Sequence, residues 1–427
     1  MTMEMILALG VLVVMIVLIM TDKLPFGAPP LIACLLLVIT GLSTVQEAFA
    51  GFVNPSVIMI AGFMVVLAAV QKTRIIGKLK SAMISLINKG GYKSYALLVV
   101  IVMLGASLVG SGNTGYYVLI LSLLVTIPYS KKLPSSKLML PLGFATNHPL
   151  VPFNVALQFG VALTVLETAG YTGGGFSMVN FSIMNVFLAV AYLAWCLIGY
   201  RLLPDHPIND LTAESEVVLE KEANTMPAWK EYCTIGAFVV SVVGMMLTSQ
   251  LGAIGNVIPG VAAAFVLIIN VLDFKEVRDN MGAPVILMMA GVIGVADALA
   301  NSGFTDMVGN AAAGILGSSV SPFIVVLIFA LLTSTMATFT GSNMGSVFVF
   351  APIAIAACMA LGLNPMAAAA AVAVSGWNGG YMPIDGMPAL IYGMGKYKLP
   401  QFWKFTVPMY FIRILAVCLG AVIMFPM

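Results

Sequence analysis

Between Asp306 and Asp385 the sequence runs for 78 residues without one charged side chain. A soluble domain carries about a quarter charged residues, so a gap of that length does not belong in water. It fits three or four bilayer-spanning helices of roughly 20 residues each. The rest of the chain agrees: of 427 residues 61% are hydrophobic and 8% charged, which makes the fold class an all-α polytopic membrane protein. The net charge is +2 and the basic residues sit between apolar segments, which leaves no basic face for nucleic acid. Cys34, Cys196, Cys233, Cys358 and Cys418 stand far apart in apolar segments and read as small core residues, with neither metal spacing nor a disulfide framework.

Residues 3–20 lack the basic start and small-residue cleavage pattern of a signal peptide, so they are expected to form a first membrane helix. Apolar segments follow at 30–42 and 56–70. Next comes the densest basic cluster, Lys72, Arg74, Lys78, Lys80, Lys89 and Lys93, which the positive-inside rule places in the cytoplasm. Residues 94–130 carry no charge and end on Lys131 and Lys132. Basic residues at both ends mean that this run enters and leaves on one side. It reads as a re-entrant hairpin with its tip at Gly112-Asn113-Thr114 and arms of roughly 18 residues, about 27 Å each. Residues 137–171 form one crossing broken at Thr146-Asn147-His148-Pro149 and Pro152-Phe153-Asn154. Residues 177–200 cross back, and 202–230 form a polar cytoplasmic linker.

The second half repeats this plan. Crossings are expected at 232–247, 258–272 and 283–300, a hairpin at 321–361 with Ser342-Asn343-Met344 at its tip, a broken helix at 366–394 interrupted near Gly379 to Pro383, and a last helix at 405–426. Pro55 and Gly62 match Pro284 and Gly291 at an offset of 229, Asn113 matches Asn343 at 230, and Pro134 and Pro152 match Pro365 and Pro383 at 231. The domains are therefore a first repeat over 1–201 and a second over 231–427. With the basic cluster inside, this threading places every lysine and arginine except Arg413 on the inner side and opens the two hairpins from opposite sides. Such inverted-topology repeats are the mark of alternating-access transporters. About ten transmembrane crossings plus two re-entrant hairpins leave both termini outside a plasma membrane, a bacterial or archaeal inner membrane.

Polar residues inside lipid-fit segments must line a cavity or bind something. Asn113 and Asn343 offer carbonyl oxygens that suit a hard cation such as sodium. Thr114, Ser342 and Ser346 add hydroxyls beside them. Helices restart after both tips, and their N-terminal amides can face an anion where no lysine or arginine lies near. Asn154 and Asp385 hold equivalent places in the two breaks. Asp385 is a functional residue by its position in a membrane segment, as a sodium ligand, a proton carrier or the counter-charge of a cationic substrate. His148 is a proton site, a donor to a substrate carboxylate, or a structural donor to a freed carbonyl. Asp297 is expected to pair or meet water, and Arg413 to snorkel or pair with a carboxylate. Tyr116 and Tyr117 either narrow the cavity or pack.

The run Thr40-Gly41-Leu42-Ser43, with Glu47 to Pro55, resembles the opening of the divalent anion:sodium symporter family of the ion transporter superfamily. So do Ser136 to Leu142 after the first hairpin and Tyr392-Gly393-Met394-Gly395-Lys396-Tyr397 before the last helix. That family's tips carry Ser-Asn-Thr, which hold sodium and a substrate carboxylate. Carried over, those positions are Gly112, Asn113 and Thr114 in the first hairpin and Ser342, Asn343 and Met344 in the second. Together with the residues of the breaks, the expected substrate contacts are Asn113, Thr114, Ser342, Asn343, Asn154 and His148, and the expected cation site is Ser111, Gly112, Asn113, Ser342, Asn343 and Asp385. Met344 stands where a threonine is expected and has no hydroxyl to offer a carboxylate. The resemblance also implies a homodimer and an elevator movement of the unit holding both hairpins.

The expected function is secondary active transport of a small organic anion, a di- or monocarboxylate, with a sodium ion or proton as coupling ion and no other cofactor. The alternative is a cation/proton antiporter, or a carrier of a neutral or cationic solute, built on Asp385. Nothing supplies the nucleophile or metal set of a membrane-embedded enzyme, and hairpins opening from opposite sides do not suit a channel.

Overall fold

The computed structural model of the chain describes residues 1–20, 24, 27–110, 114–125, 127, 130–152, 155–171, 173–208, 226–317, 320–384 and 386–427. The side chains at 19–20, 75–77, 79–80, 114, 168, 249, 285, 306, 312 and 316 lie outside that description. All regular structure among the described residues is helical. Six of the described helices are long and apolar enough to cross a membrane, and shorter apolar helices of 10–17 residues accompany them.

The same local signals recur at the sequence offset. Thr44 accepts from the Glu47 amide at 3.3 Å while Glu47 accepts from the Thr44 amide at 2.8 Å. Asp273 and Glu276, 229 positions on, make the same reciprocal capping box at 2.7 and 2.9 Å. After each box a helix opens on proline, Pro55–Gln71 and Pro284–Asn301, where the missing N–H is not needed.

Those two helices are held by glycine at equivalent positions. Pro55–Gln71 packs on Ala253–Ile268, and a Cβ on Gly62 would sit 2.5 Å from the Gly260 nitrogen. Pro284–Asn301 packs on Ala28–Ile39, and a Cβ on Gly291 would sit 2.5 Å from the Pro30 side chain. Without hydrophobic drive between helices in lipid, association of this kind rests on small residues that let backbones close up.

The hairpin helices are Gly91–Val109 with Thr114–Val125, and Pro322–Thr340 with Asn343–Ala360. The second arm of the first hairpin is 12 residues long, shorter than the roughly 18 the sequence suggested. Ser135–Ala145 and Ala156–Thr168 are the pieces of the first broken helix, and Met366–Ser375 and Gly386–Met394 those of the second. Ser135–Ala145 packs on both arms of the first hairpin and on Gly386–Met394. Met366–Ser375, a buried alanine-rich segment, packs on both arms of the second hairpin and on Ala156–Thr168. Each broken helix thus meets its own hairpin and the far piece of the other, which brings the two breaks together.

Two long helices, Met178–Ile198 and Leu399–Met424, lie against each other. The latter starts six residues before the expected 405, where the Lys398 amide donates to Gln401 at 2.8 Å and Pro400 opens the first turn. Among the helices not foreseen in the sequence are Arg74–Lys89 and Phe304–Leu316, each preceding a hairpin. The first buries Met83 and Ile87 and exposes Lys78 and Lys89, so part of the basic cluster is an amphipathic helix. Of the cysteines, Cys34, Cys196, Cys358 and Cys418 are buried and Cys233 is half-buried.

Candidate functional site

The second hairpin turns at Gly341, whose φ of 68° is left-handed backbone suited to glycine. Ser342 then caps the returning helix, its hydroxyl accepting from the Gly345 amide at 3.2 Å. The Ser346 hydroxyl donates to the Ser342 carbonyl at 2.8 Å, which ties it to the turn. Asn343 is half-buried, and its side chain makes no hydrogen bond to another described residue. It lines a cavity of about 180 Å³ together with Thr338, Asn147, Trp377, Tyr117 and Phe144. That is below the roughly 300–1,000 Å³ of drug-sized pockets and suits a small solute.

The cavity lies where the breaks meet. Beyond Ala145 the first helix stops: the Thr146 hydroxyl donates to the Gly143 carbonyl at 2.7 Å and the Asn147 amide to Phe144 at 3.0 Å. Asn147 Nδ2 reaches across to the Trp377 carbonyl, at 3.0 Å, in the second break. Its Oδ1 is buried and makes no hydrogen bond to another described residue. In the second break Asn378 donates to Val374 at 2.8 Å, and its Oδ1 likewise accepts no hydrogen bond within the geometric limit among the described residues.

Each hairpin steadies one break with a hydroxyl. Ser107 donates to the Met103 carbonyl at 2.9 Å and accepts from the Val151 amide at 3.0 Å. Thr338, 231 positions later, donates to Ser334 at 2.8 Å and accepts from the Gly380 amide at 3.1 Å. A hydroxyl on a helix normally satisfies itself on the carbonyl four residues back. Here the same oxygen also takes a backbone donor that the break has freed.

Arg413 lies behind this cavity. The sequence left it two roles, snorkelling to the surface or pairing with a carboxylate, and it takes neither among the described residues. It is 1% exposed and donates to the carbonyls of Asn378, at 3.1 Å, and Gly379. Its guanidinium carbon lies 5.4 Å from the centre of the Phe144 ring, a cavity residue. Among the described residues no lysine or arginine lines the cavity itself, but a buried positive charge sits one residue behind it.

His148 is fully buried and is not among the cavity residues. Its Nδ1 is 2.7 Å from the Phe144 carbonyl, so the proton belongs on Nδ1 and Nε2 is left as an acceptor, 3.5 Å from Arg413. The ring stacks on Tyr192 at 4.0 Å. Of the roles open in the sequence, the described contacts supply support of a freed carbonyl. Met344 is buried in the apolar core and is not among the cavity residues, so the hydroxyl it lacks is not missing from the cavity wall. Tyr116 packs, donating to Val102 at 2.9 Å, whereas Tyr117 lines the cavity. Asp297 is half-buried on Pro284–Asn301, away from the cavity. Ser111, Gly112, Asn113, Asn154 and Asp385 lie outside the described residues, and Thr114 is described by its backbone alone.

Sequence reasoning missed Thr338, Trp377, Asn378 and the partnership of Ser107 with Val151. The signal was present: Asn147 and Asn378, like Ser107 and Thr338, stand 231 apart.

A family model described as citrate transporter matches residues 16–425. The chain belongs to the citrate transporter family. It is an integral membrane protein of the ion transporter superfamily, as its resemblance to the divalent anion:sodium symporters indicated. It is similar to the uncharacterized transporter YfbS of Escherichia coli, 27% identical over 237 residues, which covers 55% of this chain and 36% of that protein. It is also similar to the uncharacterized transporter sll0640 of Synechocystis, 28% identical over 213 residues, which covers 48% of this chain and 33% of that one. The chain thus matches about a third of the length of these curated relatives. Among solved structures the YdaH transporter of Alcanivorax borkumensis, described as having an unusual topology, superposes with a TM-score of 0.61 at 17% identity. That superposition covers 90% of this chain and 88% of YdaH, and shows the shared fold.

Proposed function

We propose that this member of the citrate transporter family is a secondary active transporter of a small organic anion, a di- or tricarboxylate of the citrate class or a monocarboxylate, coupled to sodium or protons. The observation that carries the reading is the buried charge of Arg413 directly behind a cavity formed by a hairpin tip and two helix breaks. A positive charge behind the cavity attracts an anion within it, more strongly than in bulk water because the surroundings have a lower dielectric. The unpartnered Oδ1 of Asn147 and the free side chain of Asn343 supply polar groups for the bound solute or its coupling ion. Asp385, in the second break by sequence, adds a cation ligand or proton carrier.

The paired packing of Gly62 and Gly291, and of Ser107 and Thr338, supports two inverted repeats over 1–201 and 231–427. Such repeats suit alternating access by an elevator movement within a homodimer of the inner membrane. Both termini then lie outside.

The test is uptake of labelled citrate, C4 dicarboxylates and monocarboxylates by proteoliposomes under an imposed sodium or proton gradient. Gradient-dependent accumulation of a carboxylate is expected. Accumulation of amines or metal cations alone overturns the anion reading in favour of exchange at Asp385.

A further inference from the structure

We propose that Arg413 is a resident cation at the second helix break. It holds carbonyls that a mobile cation otherwise occupies, so this half of the site is charged without binding an ion. The place of a coupling ion rests on the transport reading; the cation site itself does not.

The argument starts from the broken helix. Interrupting a membrane helix frees backbone carbonyls that lipid cannot satisfy. In broken transporter helices such carbonyls take a small hard cation. Here the carbonyls of Asn378 and Gly379 are occupied by one guanidinium. Beside them the buried Oδ1 of Asn378 accepts no hydrogen bond within the geometric limit among the described residues.

A buried charge needs compensation, and the ordinary partner is a carboxylate. Among the described residues no carboxylate pairs with Arg413, whose side chain is 1% exposed. Two carbonyl dipoles, the face of Phe144 and His148 Nε2 at 3.5 Å surround it among the described residues. A dipole cage around a cation is the arrangement of an ion site. In this one the ion is tethered.

The first break is different. At the 231 offset the places equivalent to Asn378 and Gly379 are Asn147 and His148. Among the described residues no cationic side chain donates to their carbonyls, whereas one guanidinium takes both carbonyls of the second break. The two breaks are thus unequal in charge, which leaves any coupling ion to the first half and to residues outside the Asn378–Gly379 carbonyl pair.

The experiment measures thermal unfolding of the purified full-length protein without substrate, in chloride salts of sodium, lithium, guanidinium at low-millimolar concentration, and bulky choline at matched ionic strength. Arg413→Ala is expected to unfold roughly 5 °C or more below wild type. Guanidinium or a small alkali cation should recover most of that loss and choline should not, and guanidinium should give wild type no such gain. A folded Arg413→Ala protein that matches wild type, or answers to all salts alike, overturns the proposal. Where Arg413→Ala does not fold, Arg413→Lys and Arg413→Gln decide. The lysine variant is expected to fold and the glutamine variant, which keeps donors but no charge, to fail. A glutamine variant that behaves as wild type, or a lysine variant that fails with the rest, shows that charge is not what the site needs. Cation rescue in a protein that binds no carboxylate would leave this inference standing and remove the proposed substrate class.

Discussion

Asn147 donates from Nδ2 to the carbonyl of Trp377 at 3.0 Å, so a side chain of the first helix break carries a backbone group of the second. The bond closes one wall of the cavity and couples the repeats at the place where solute is proposed to sit. Removing it leaves a buried carbonyl unpaired, at a cost of about 1–3 kcal/mol. Asn147→Ala is expected to lower Tm and to weaken carboxylate binding. Wild-type Tm and affinity in that variant would separate this bond from the site.

Asn343 and Ser342 are adjacent but should fail differently. Ser342 caps a helix, so Ser342→Ala is expected to destabilise by about 1 kcal/mol. Asn343 makes no hydrogen bond among the described residues, so Asn343→Ala should leave Tm nearly unchanged and abolish uptake. Parallel Tm and proteoliposome measurements check the split. Normal uptake by Asn343→Ala refutes its place in the site.

Gly62 and Gly291 admit a backbone or a proline where a side chain has no room. Gly291→Leu and Gly62→Leu are each expected to cost about 1–3 kcal/mol by overpacking, or to reduce folded yield. If the two contacts are equivalent, their losses should be similar. Size-exclusion profiles and Tm of both variants test this.

Tyr192→Phe removes one hydroxyl from the Pro141 carbonyl and keeps the stack on His148. A stability loss of about 1 kcal/mol is expected, with carboxylate binding unchanged. A marked loss of binding at wild-type Tm would instead give the Tyr192–His148 pair a direct part in recognition.

Charge gaps and a steady offset made the hairpins and broken helices legible, because lipid admits few alternatives for an uncharged run that starts and ends on lysine. The amphipathic Arg74–Lys89 helix was hidden by its own lysines, which read as a loop, although Met83 and Ile87 already had helical spacing. Thr338 was missed because a hydroxyl in a helix looks the same whether it serves only its own turn or a neighbouring backbone as well. Arg413 could be located in the last helix, but its partners are carbonyls, which have no letter in a sequence. The roles of His148 stayed open because the carbonyl it supports belongs to Phe144, four residues back, and is freed only by the break.

The most direct measurement is a thermal-shift titration of wild type and Asn343→Ala with citrate, C4 dicarboxylates, amino acids and amines, each in sodium and in potassium. A ligand that binds only the native state adds about 2.7 kcal/mol of stability at a hundred times its Kd. Stabilisation of wild type by a carboxylate, absent in Asn343→Ala, is the expected result. Stabilisation by amines alone, or equal carboxylate stabilisation of both proteins, would contradict an anion site at the hairpin tip.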